Sequence, residues 1–305
     1  MNLHFAPVQG HTDAAYRHFH SKVYGDGQTY YTPFIRLEKD SVRPRDIKDF
    51  TSELNENLTL IPQVIFKDKE ELEKLILILK NKDEREINLN MGCPFPLQTG
   101  HGRGAATVDN KQLASDIADI VNTNPDISFS VKMRLGLKSP DEWKTIMPYL
   151  NSCQLKHITL HPRIGRQQYS GDLDMLQFAD FYKESRNPVI FNGDIKKPEE
   201  VNNVLYDYSD IGGIMIGRGA LGRPSIFREI SESKIWDREM RLEKMLEFHR
   251  LLFNHYSQVL CGDTQVITKI KPFWEFAEEE IGRKAWKAIK KASNISKYQT
   301  AVAMI

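Results

Sequence analysis

Eight short β-like segments, mostly separated by helical stretches, constrain the fold of this 305-residue chain more than any other feature. Several of them are near-continuous apolar runs, which is typical of strands that are covered on both faces. Eight such strands alternating with helices over about 235 residues predict a (β/α)8 TIM barrel, whose usual size is roughly 250 residues. The predicted strands cover residues 3–8, 29–35, 58–65, 86–90, 128–133, 157–161, 189–192 and 213–217.

Amphipathic helices are predicted between the strands and after the last one. Residues 69–80 and 111–121 are the clearest in the barrel region, because their apolar residues recur on one helical stripe. After Asp237 no strand is predicted, and helices are expected over 240–256, over 267–280 with an irregularity at Pro272, and over 282–292. We therefore predict a catalytic barrel at 1–237 and a small C-terminal helical domain at 238–305.

The composition argues against several classes of protein. Hydrophobic residues make up 40% of the chain and charged residues 27%, as in soluble globular proteins. No apolar run approaches the ~20 residues that cross a bilayer, and the N-terminus lacks the basic region of a signal peptide. Cys93, Cys153 and Cys261 form no CxxC pair, which indicates neither a disulfide framework nor a zinc site. We expect a cytoplasmic protein without membrane contact or metal.

Charge is distributed unevenly along the chain. Residues 238–305 contain 12 Lys and Arg against 8 Asp and Glu, whereas the rest of the chain is slightly acidic. A basic C-terminal region predicts contact with a polyanion. Arg283, Lys287, Lys290 and Lys291 share one face of a predicted helix, in a stretch without acidic residues. Phosphate contact is the favoured interpretation, and a plain solvated helix face is the alternative.

Cys93 lies where the fourth predicted strand would reach the mouth of the barrel. Alternating apolar side chains end at Asn90, Gly92 permits a sharp turn, and Pro94 stiffens the exit. An isolated cysteine is more often a small buried hydrophobe, but the residues at the other strand ends favour a reactive thiol. The Gly-rich stretch 100–106 is too rich in glycine for a packed helix and is predicted to be a mobile lid beside the thiol.

Six of the eight predicted strands end in a charged group, an amide or a thiol. Chemistry in such barrels occurs at these C-terminal ends, and strand one contributes Pro7, Val8 and Gln9 there. Asn192-Gly193-Asp194 and Gly217-Arg218-Gly219 follow strands seven and eight, where phosphate commonly binds, although two tight turns are the alternative.

Three further strand-end residues suit a flavin ring. Lys132 and His161 would face one edge of the flavin ring, where a cation stabilises the reduced form, and Gln63 would hydrogen-bond to an amide group at the ring edge. Taken singly, Lys132 and His161 could be a surface lysine and a core histidine. Together with the phosphate turns, they predict bound FMN.

Six motifs, in order, resemble those of the tRNA-dihydrouridine synthases over nearly the whole chain. They are Ala6-Pro7, Asn90-Met91-Gly92-Cys93-Pro94, Val131-Lys132-Met133-Arg134-Leu135-Gly136, His161-Pro162-Arg163, Asn192-Gly193-Asp194-Ile195 and Ile216-Gly217-Arg218-Gly219-Ala220. The resemblance implies an FMN barrel with a helical domain that grips tRNA, and NADPH as a transient reductant. It implies Cys93 as the proton donor and Asn90, Arg134 and Arg163 near the target base. FMN contacts are implied at Pro7, Gln63, Lys132, His161, Asn192, Asp194, Gly217 and Arg218.

Two other segments look most like the bacterial C-type branch, which modifies the sixteenth nucleotide. They are 32–36 and 269–274, and they add Phe34, Arg36, Lys269 and Lys271 as expected tRNA contacts. The chain also departs from the family. His161-Pro162-Arg163-Ile164-Gly165 replaces the usual His-Gly-Arg-Thr or His-Ala-Arg-Thr. Phe95-Pro96-Leu97-Gln98 stands near the position of the usual lid lysine, for which Arg103 is the expected substitute.

The predicted reaction is reduction of a uridine C5=C6 bond in tRNA. Hydride from the reduced flavin would add at C6, and the Cys93 thiol would protonate C5. With an ordinary pKa near ~8.5, a thiol is protonated at neutral pH yet acidic enough to give up its proton. Two alternatives stay open: an FMN oxidoreductase of a free pyrimidine or dihydroorotate, and an RNA-binding protein with an inactive barrel. The basic C-terminal helix favours tRNA, because a free base needs no such surface.

Overall fold

The strands of this chain form a barrel of parallel strands. The computed structural model describes residues 1–39 and 41–305. The hydrogen-bonded strand order is β5-β2-β1-β11-β10-β9-β8-β7-β6. The strands are β1 (Asn2–Phe5), β2 (Thr29–Tyr31), β3 (Leu37–Glu38), β4 (Ser41–Val42), β5 (Leu60–Ile61), β6 (Gln63–Val64), β7 (Glu86–Met91), β8 (Ser128–Gly136), β9 (Ile158–Ile164), β10 (Val189–Phe191) and β11 (Gly213–Ile216).

The third predicted strand is divided at Pro62 and closes the barrel. Its first half, β5, pairs in parallel with β2, and its second half, β6, pairs in parallel with β7. Proline carries no N–H, so the hydrogen-bond ladder is interrupted there, although the Pro62 carbonyl still accepts from the Asn88 amide at 3.0 Å. The barrel therefore has the eight strand positions that the sequence predicts. The antiparallel hairpin of β3 and β4, which the sequence did not predict, follows β2.

Helices cover the outside of the barrel and make up the C-terminal region. The predicted helix at 69–80 is observed: it buries Leu72, Leu75, Ile76 and Leu79, and Asp68 caps its first turn. The helices are α1 (Ala14–Tyr24), α2 (Pro44–Phe50), α3 (Lys69–Lys80), α4 (Pro96–Thr99), α5 (Lys111–Thr123), α6 (Trp143–Leu150), α7 (Met175–Glu184), α8 (Glu199–Asp207), α9 (Arg218–Gly222), α10 (Ile226–Glu232), α11 (Arg238–Val259), α12 (Asp263–Ile270), α13 (Glu278–Ile281), α14 (Arg283–Lys291) and α15 (Ile295–Val302).

The C-terminal region is helical and packs against the barrel. The single helix predicted at 267–280 is divided into α12, a 3-10 turn (Lys271–Trp274) and α13, because Pro272 cannot continue the helical hydrogen bonds. Phe248 of α11 meets Tyr16 of α1 edge-to-face at a ring separation of 4.9 Å. The Tyr256 hydroxyl donates to Asp13 at 3.0 Å. The division into two domains at residue 237 remains a prediction.

Side chains fill the lower part of the barrel and leave its upper part open. Ala6, Tyr31, Ile61, Ile190 and Met215 form a small buried cluster inside the ring of strands. Ala6 and Met215 also border the cavity above, so this cluster forms the floor of that cavity. No helix of the described residues is both long enough and apolar enough to cross a bilayer.

Candidate active site

A cavity of about 960 Å³ lies at the C-terminal ends of the barrel strands. Nine Lys and Arg residues line it against four Asp and Glu residues, so it favours an anionic ligand. Its lining includes most of the residues that the sequence singled out: Pro7, Val8, Gln9, Phe34, Arg36, Gln63, Asn90, Cys93, Lys132, Arg134, His161, Asn192, Gly193, Asp194, Gly217 and Arg218. Topology therefore brings together side chains that are far apart in sequence.

Asn90 shapes the turn that presents Cys93. Its Oδ1 accepts from the backbone amides of Gly92 at 3.1 Å and Cys93 at 3.0 Å. Its Nδ2 donates to Oε1 of Gln63 at 2.7 Å. These bonds use the carbonyl and one N–H of the side chain, so only one N–H remains for a ligand. Asn90 is therefore first a support for the cysteine turn, and the base contact expected for it is limited to that N–H.

Gln63 is held in the same way. Its carbonyl accepts from Asn90, and its Nε2 donates to Asn88 at 2.7 Å; Asn88 in turn donates to the Ser130 hydroxyl at 2.8 Å. This buried chain of amides joins β6, β7 and β8 and fixes the position of each member. Gln63 lines the cavity, but only its second N–H is left to meet a flavin edge.

The stretch 100–106 lies beside Cys93, as predicted, but it is partly buried and helical. A 3-10 turn covers Gly104–Thr107, and Ala105 donates its backbone N–H to the Cys93 carbonyl at 3.0 Å. Gly104 has φ +61°, and a Cβ there would come within 2.8 Å of the Cys93 Cβ. The absence of a side chain at Gly104 lets this part of the loop lie directly on the cysteine, whereas residues 100–102 are exposed. The mobility of the lid remains a prediction.

The Arg103 side chain is paired with another side chain of the protein and does not line the cavity. Its Nε donates to Oε2 of Glu71 at 3.1 Å, and its Nη2 donates to Oε1 of the same carboxylate. Both side chains are largely buried. The structure thus corrects the expectation that Arg103 takes the place of a substrate-binding lysine, because its charge is satisfied by α3.

The thiol of Cys93 is kept protonated by its surroundings. Burial raises its pKa, and this effect outweighs a backbone hydrogen bond from Phe95 and the positive charges of Arg134 and Lys132, which act in the opposite direction. A reactive thiolate site has the opposite property, a lowered pKa. The environment therefore suits a proton donor.

Lys132 is a half-buried lysine whose hydrogen-bond partner is a neutral amide. Its Nζ donates to Oδ1 of Asn192 at 2.8 Å, and Asn192 is oriented by its own bond to the Met215 carbonyl, also 2.8 Å long. Burial, together with the charge of Arg134, lowers the pKa of Lys132 to about 7. An anionic group bound beside it would restore the charged form.

His161 is neutral, and its tautomer follows from its neighbour. Burial lowers its pKa well below the ordinary value, and the positive charges of Arg134, Lys132 and Arg163 lower it further. Arg163 Nη1 lies 3.2 Å from His161 Nε2, and a guanidinium only donates. Nε2 is therefore the acceptor, and Nδ1 carries the proton.

Arg163 does not line the cavity, and this corrects the expectation that it touches the target base. Its Nη1 donates to Asp194 Oδ1 at 2.9 Å, its Nη2 donates to Oδ2, and both Nε and Nη2 reach the Gly171 carbonyl. Asp194 also accepts from Arg218 at 2.9 Å. Burial alone would raise the pKa of Asp194, but the two arginines outweigh it and lower that pKa. Arg163 therefore positions Asp194, His161 and, through Asp194, Arg218.

Tyr169 is a cavity residue that the sequence analysis missed. The guanidinium carbons of Arg218 and Arg134 lie 4.1 Å and 5.3 Å from its ring centroid, and the His161 ring lies 6.5 Å away. The ring is 44% exposed. A lone aromatic residue in the polar loop after the sixth barrel strand was the available signal. Other lining residues that were missed are Arg43, Arg45, Lys196 and Lys197.

Two of the predicted C-terminal tRNA contacts are bonded within the protein. Lys269 forms an ion pair with Asp13 at 2.6 Å. Lys271 donates to the carbonyls of Lys290 at 3.0 Å and Ala292 at 2.5 Å, which closes the C-terminal end of α14. Neither lysine lines the large cavity. The structure therefore assigns them to packing and capping.

Helix α14 carries the basic face that the sequence predicts. Arg283, Lys287, Lys290 and Lys291 are exposed, whereas Ile289 is buried. The Lys290 ammonium lies 5.3 Å from the ring centroid of the half-buried Trp286. The face is thus free to meet a partner, which is what a phosphate-binding surface requires.

The family of the chain is settled by comparison. Residues 4–294 match the family model described as dihydrouridine synthase (Dus). The chain belongs to the dihydrouridine synthase family. Among residues 1–39 and 41–305, no group of three or more His, Cys, Asp or Glu side chains is placed to hold a metal ion.

Several curated proteins are similar to this chain. tRNA-dihydrouridine synthase B of Shewanella oneidensis is 30% identical over 200 residues, which are 64% of this chain and 59% of that protein. A probable tRNA-dihydrouridine synthase of Rhodobacter capsulatus is 27% identical over 256 residues, 84% of this chain and 78% of its own length. The chain thus spans less than two thirds of the Shewanella protein.

Solved structures share the fold at low sequence identity. Morphinone reductase superposes with a TM-score of 0.54 at 8% identity, covering 77% of this chain and 87% of its own. A variant of NCR from Zymomonas mobilis gives 0.53 at 11% identity, covering 77% and 88%. At these identities the likeness concerns the barrel alone.

Proposed function

We propose that this chain is an FMN-dependent tRNA-dihydrouridine synthase that acts in the cytoplasm and reduces the C5=C6 bond of a D-loop uridine. One observation carries the proposal: a protonated thiol, Cys93, lines a basic cavity together with Lys132, a half-buried lysine without an anionic partner among the described residues. Family membership supplies the reaction class, and the cavity supplies the arrangement that the reaction needs.

The cavity fits FMN in its donor chemistry. Lys132 and the Nδ1–H of His161 would donate hydrogen bonds to the edge of the isoalloxazine ring. Arg218, which is bonded to Asp194, would bind the phosphate. Gly217 lines the same wall, and a Cβ there would come within 3.3 Å of the Ala6 Cβ, so a side chain would narrow the cavity. FMN bound by these residues and reduced by NADPH would supply the hydride that C6 of the uracil needs.

The protein supplies the proton and holds the base. Cys93 would deliver its proton to C5, which its raised pKa permits at neutral pH. Arg134 donates Nε to the Gly92 carbonyl at 3.1 Å and Nη1 to the Ile164 carbonyl at 3.0 Å. Its Nη2 bonds to no described residue and would bind a uracil carbonyl, where negative charge develops. The same arginine thereby couples the base to the backbone that carries Cys93.

The test compares unmodified tRNA with free pyrimidines. With FMN and NADPH, we expect dihydrouridine in the D-loop of tRNA, measured by mass spectrometry of nucleosides. In D2O, one deuterium should appear at C5, because that proton comes from an exchangeable thiol. Turnover of free uracil or dihydroorotate at a comparable rate would favour the small-molecule oxidoreductase, and failure to bind flavin would favour an inactive barrel.

The modified position is a finer part of the proposal. Phe34 and Arg36, from one of the two C-type motifs, line the cavity. Lys269 and Lys271, from the other motif, are bonded internally. We propose the sixteenth nucleotide on the strength of the first motif. Mapping dihydrouridine in tRNA from cells with and without the gene tests this assignment.

Changing Lys287, Lys290 and Lys291 together to glutamate should raise KM for tRNA by about 10-fold or more at low salt, because three phosphate contacts are lost and repulsion replaces them. FMN content should not change. In the control, Lys22, Lys82 and Lys183 are changed to glutamate; these are exposed lysines at or just beyond the ends of barrel helices, on the side away from the cavity. An unaltered KM would remove α14 from the tRNA surface.

A further inference from the structure

The short helix α4 and the residue that precedes it display two large apolar side chains at the cavity. Phe95 is 51% exposed and Leu97 is 66% exposed, and both line the cavity that contains Cys93. They follow the thiol by two and four residues, in the segment that departs from the usual family pattern. Neighbouring large apolar side chains left in water beside a binding site indicate an interaction surface.

These side chains stand on a fixed support. The Phe95 carbonyl accepts from the amides of Gln98 at 2.8 Å and Thr99 at 3.0 Å. The Arg103 amide donates to the Gln98 carbonyl at 3.0 Å, and the Arg103 side chain is bound by Glu71 of α3. Pro96 occupies the first turn of the helix and restricts its backbone. The apolar pair is therefore presented to the cavity by a turn that is anchored at both ends.

The charges of the same cavity indicate which ligand the pair meets. Lys196, Lys197 and Arg45 are exposed and line the cavity along with Phe95 and Leu97. Apolar side chains among cationic ones suit a ligand that combines a charged backbone with flat apolar faces. Single-stranded or locally unstacked RNA has this combination, since its bases stack on side chains while its phosphates meet lysine and arginine.

We propose that Phe95 and Leu97 contact the nucleobases that flank the uridine drawn into the cavity. The inference rests on the proposed function. A uridine leaves its stack when it enters an enzyme pocket, and its neighbours lose a stacking face. Apolar side chains inserted at such a step take over that contact, as in proteins that wedge base steps apart. Among the exposed large apolar side chains of the cavity lining, Phe95 and Leu97 lie closest in sequence to Cys93.

The test follows base displacement without turnover. Unmodified tRNA would carry 2-aminopurine beside each D-loop uridine in turn, and FMN-loaded protein would be added without NADPH. We expect a fluorescence increase with the wild-type protein and the loss of most of it with Phe95→Ala/Leu97→Ala. With NADPH, kcat/KM on tRNA should fall by about 10-fold or more, the factor for one lost stacking contact.

The control is Leu77→Ala, a 59% exposed residue of α3 outside the cavity lining. It should match the wild type. Wild-type fluorescence and kcat/KM in the double variant would overturn the proposal. A loss of activity in the double variant that is fully accounted for by a lower FMN content or a lower Tm would overturn it as well. If no tRNA gains dihydrouridine with the wild-type protein, the proposed function fails, whereas the fluorescence still decides whether this pair displaces a base.

Discussion

Cys93→Ala is expected to lower dihydrouridine formation on tRNA by about 100- to 10,000-fold, the contribution of a positioned general acid. Flavin content and NADPH oxidation should stay near wild type, because the turn is held by the bond from the Cys93 backbone amide to Asn90, which the substitution leaves in place. The measurement compares single-turnover reduction of tRNA with NADPH oxidation in the absence of tRNA.

The pH dependence separates a general acid from a thiolate nucleophile. Burial raises the pKa of Cys93, so the thiol stays protonated across the neutral range and into alkaline solution. Activity that depends on the protonated form should therefore decline only above the ordinary cysteine range. A rate that increases with pH through the pKa of the thiol would indicate a thiolate and contradict the assignment.

Matched substitutions complete this test. Cys153→Ala removes another buried thiol, whose pKa is also raised by burial, far from the cavity lining. It should leave activity unchanged. Cys93→Ser replaces the thiol by a hydroxyl, which is slightly smaller and a much weaker acid, so this variant should retain only a small part of the wild-type rate. Full activity in Cys93→Ala would exclude this residue as the proton donor.

Arg163→Ala is expected to lower the free energy of unfolding by about 1.5–3 kcal/mol, the usual contribution of hydrogen bonds that involve a charged group, because its carboxylate partner Asp194 is 36% exposed and water screens the ion pair. Arg163 is 3% exposed and holds Asp194, the Gly171 carbonyl and His161. Its loss would also free Arg218, which shares the Asp194 carboxylate. We therefore expect weaker flavin retention as well, read from the absorbance of the purified protein.

This result distinguishes positioning from substrate contact. A residue that touches the base would raise KM for tRNA and leave stability intact. For Arg163 we expect the reverse. Asp194→Ala should cause a smaller loss of stability, because Asp194 is 36% exposed and the guanidinium keeps its bonds to the Gly171 carbonyl. Arg166→Ala, an exposed neighbour, is the control and should change urea unfolding little. A normal unfolding midpoint in Arg163→Ala would contradict the positioning role.

The barrel and most of the cavity wall followed from local sequence. Parallel strands bury both faces, so β10 and β11 appear as apolar runs, and barrel topology places the C-terminal residues of all the strands at one mouth. Cys93, Lys132 and Arg218 could thus be assigned to a common site before any contact was known. The division of the third strand at Pro62 and the final helix α15 were not predicted, because short elements show too little hydrophobic periodicity.

Partners of charged side chains could not be predicted in this way. Arg103, Arg163 and Lys271 look like substrate-binding residues, since a free cation and a paired one have the same letter in the sequence. In the fold, Arg103 is paired with Glu71 and Arg163 with Asp194. Lys271 donates to two backbone carbonyls. Tyr169 was missed for the related reason that its cationic neighbours come from β8 and from the start of α9.

The sequence by itself determined which residues reach the mouth of the barrel, because strand order and the alternation of strand and helix are written in nearest-neighbour patterns. Only the tertiary structure decided which of these residues remain free for a ligand. Hydrogen bonds and ion pairs join atoms whose separation along the chain is large, as between Arg163 and Asp194, and their geometry exists only once the barrel has closed.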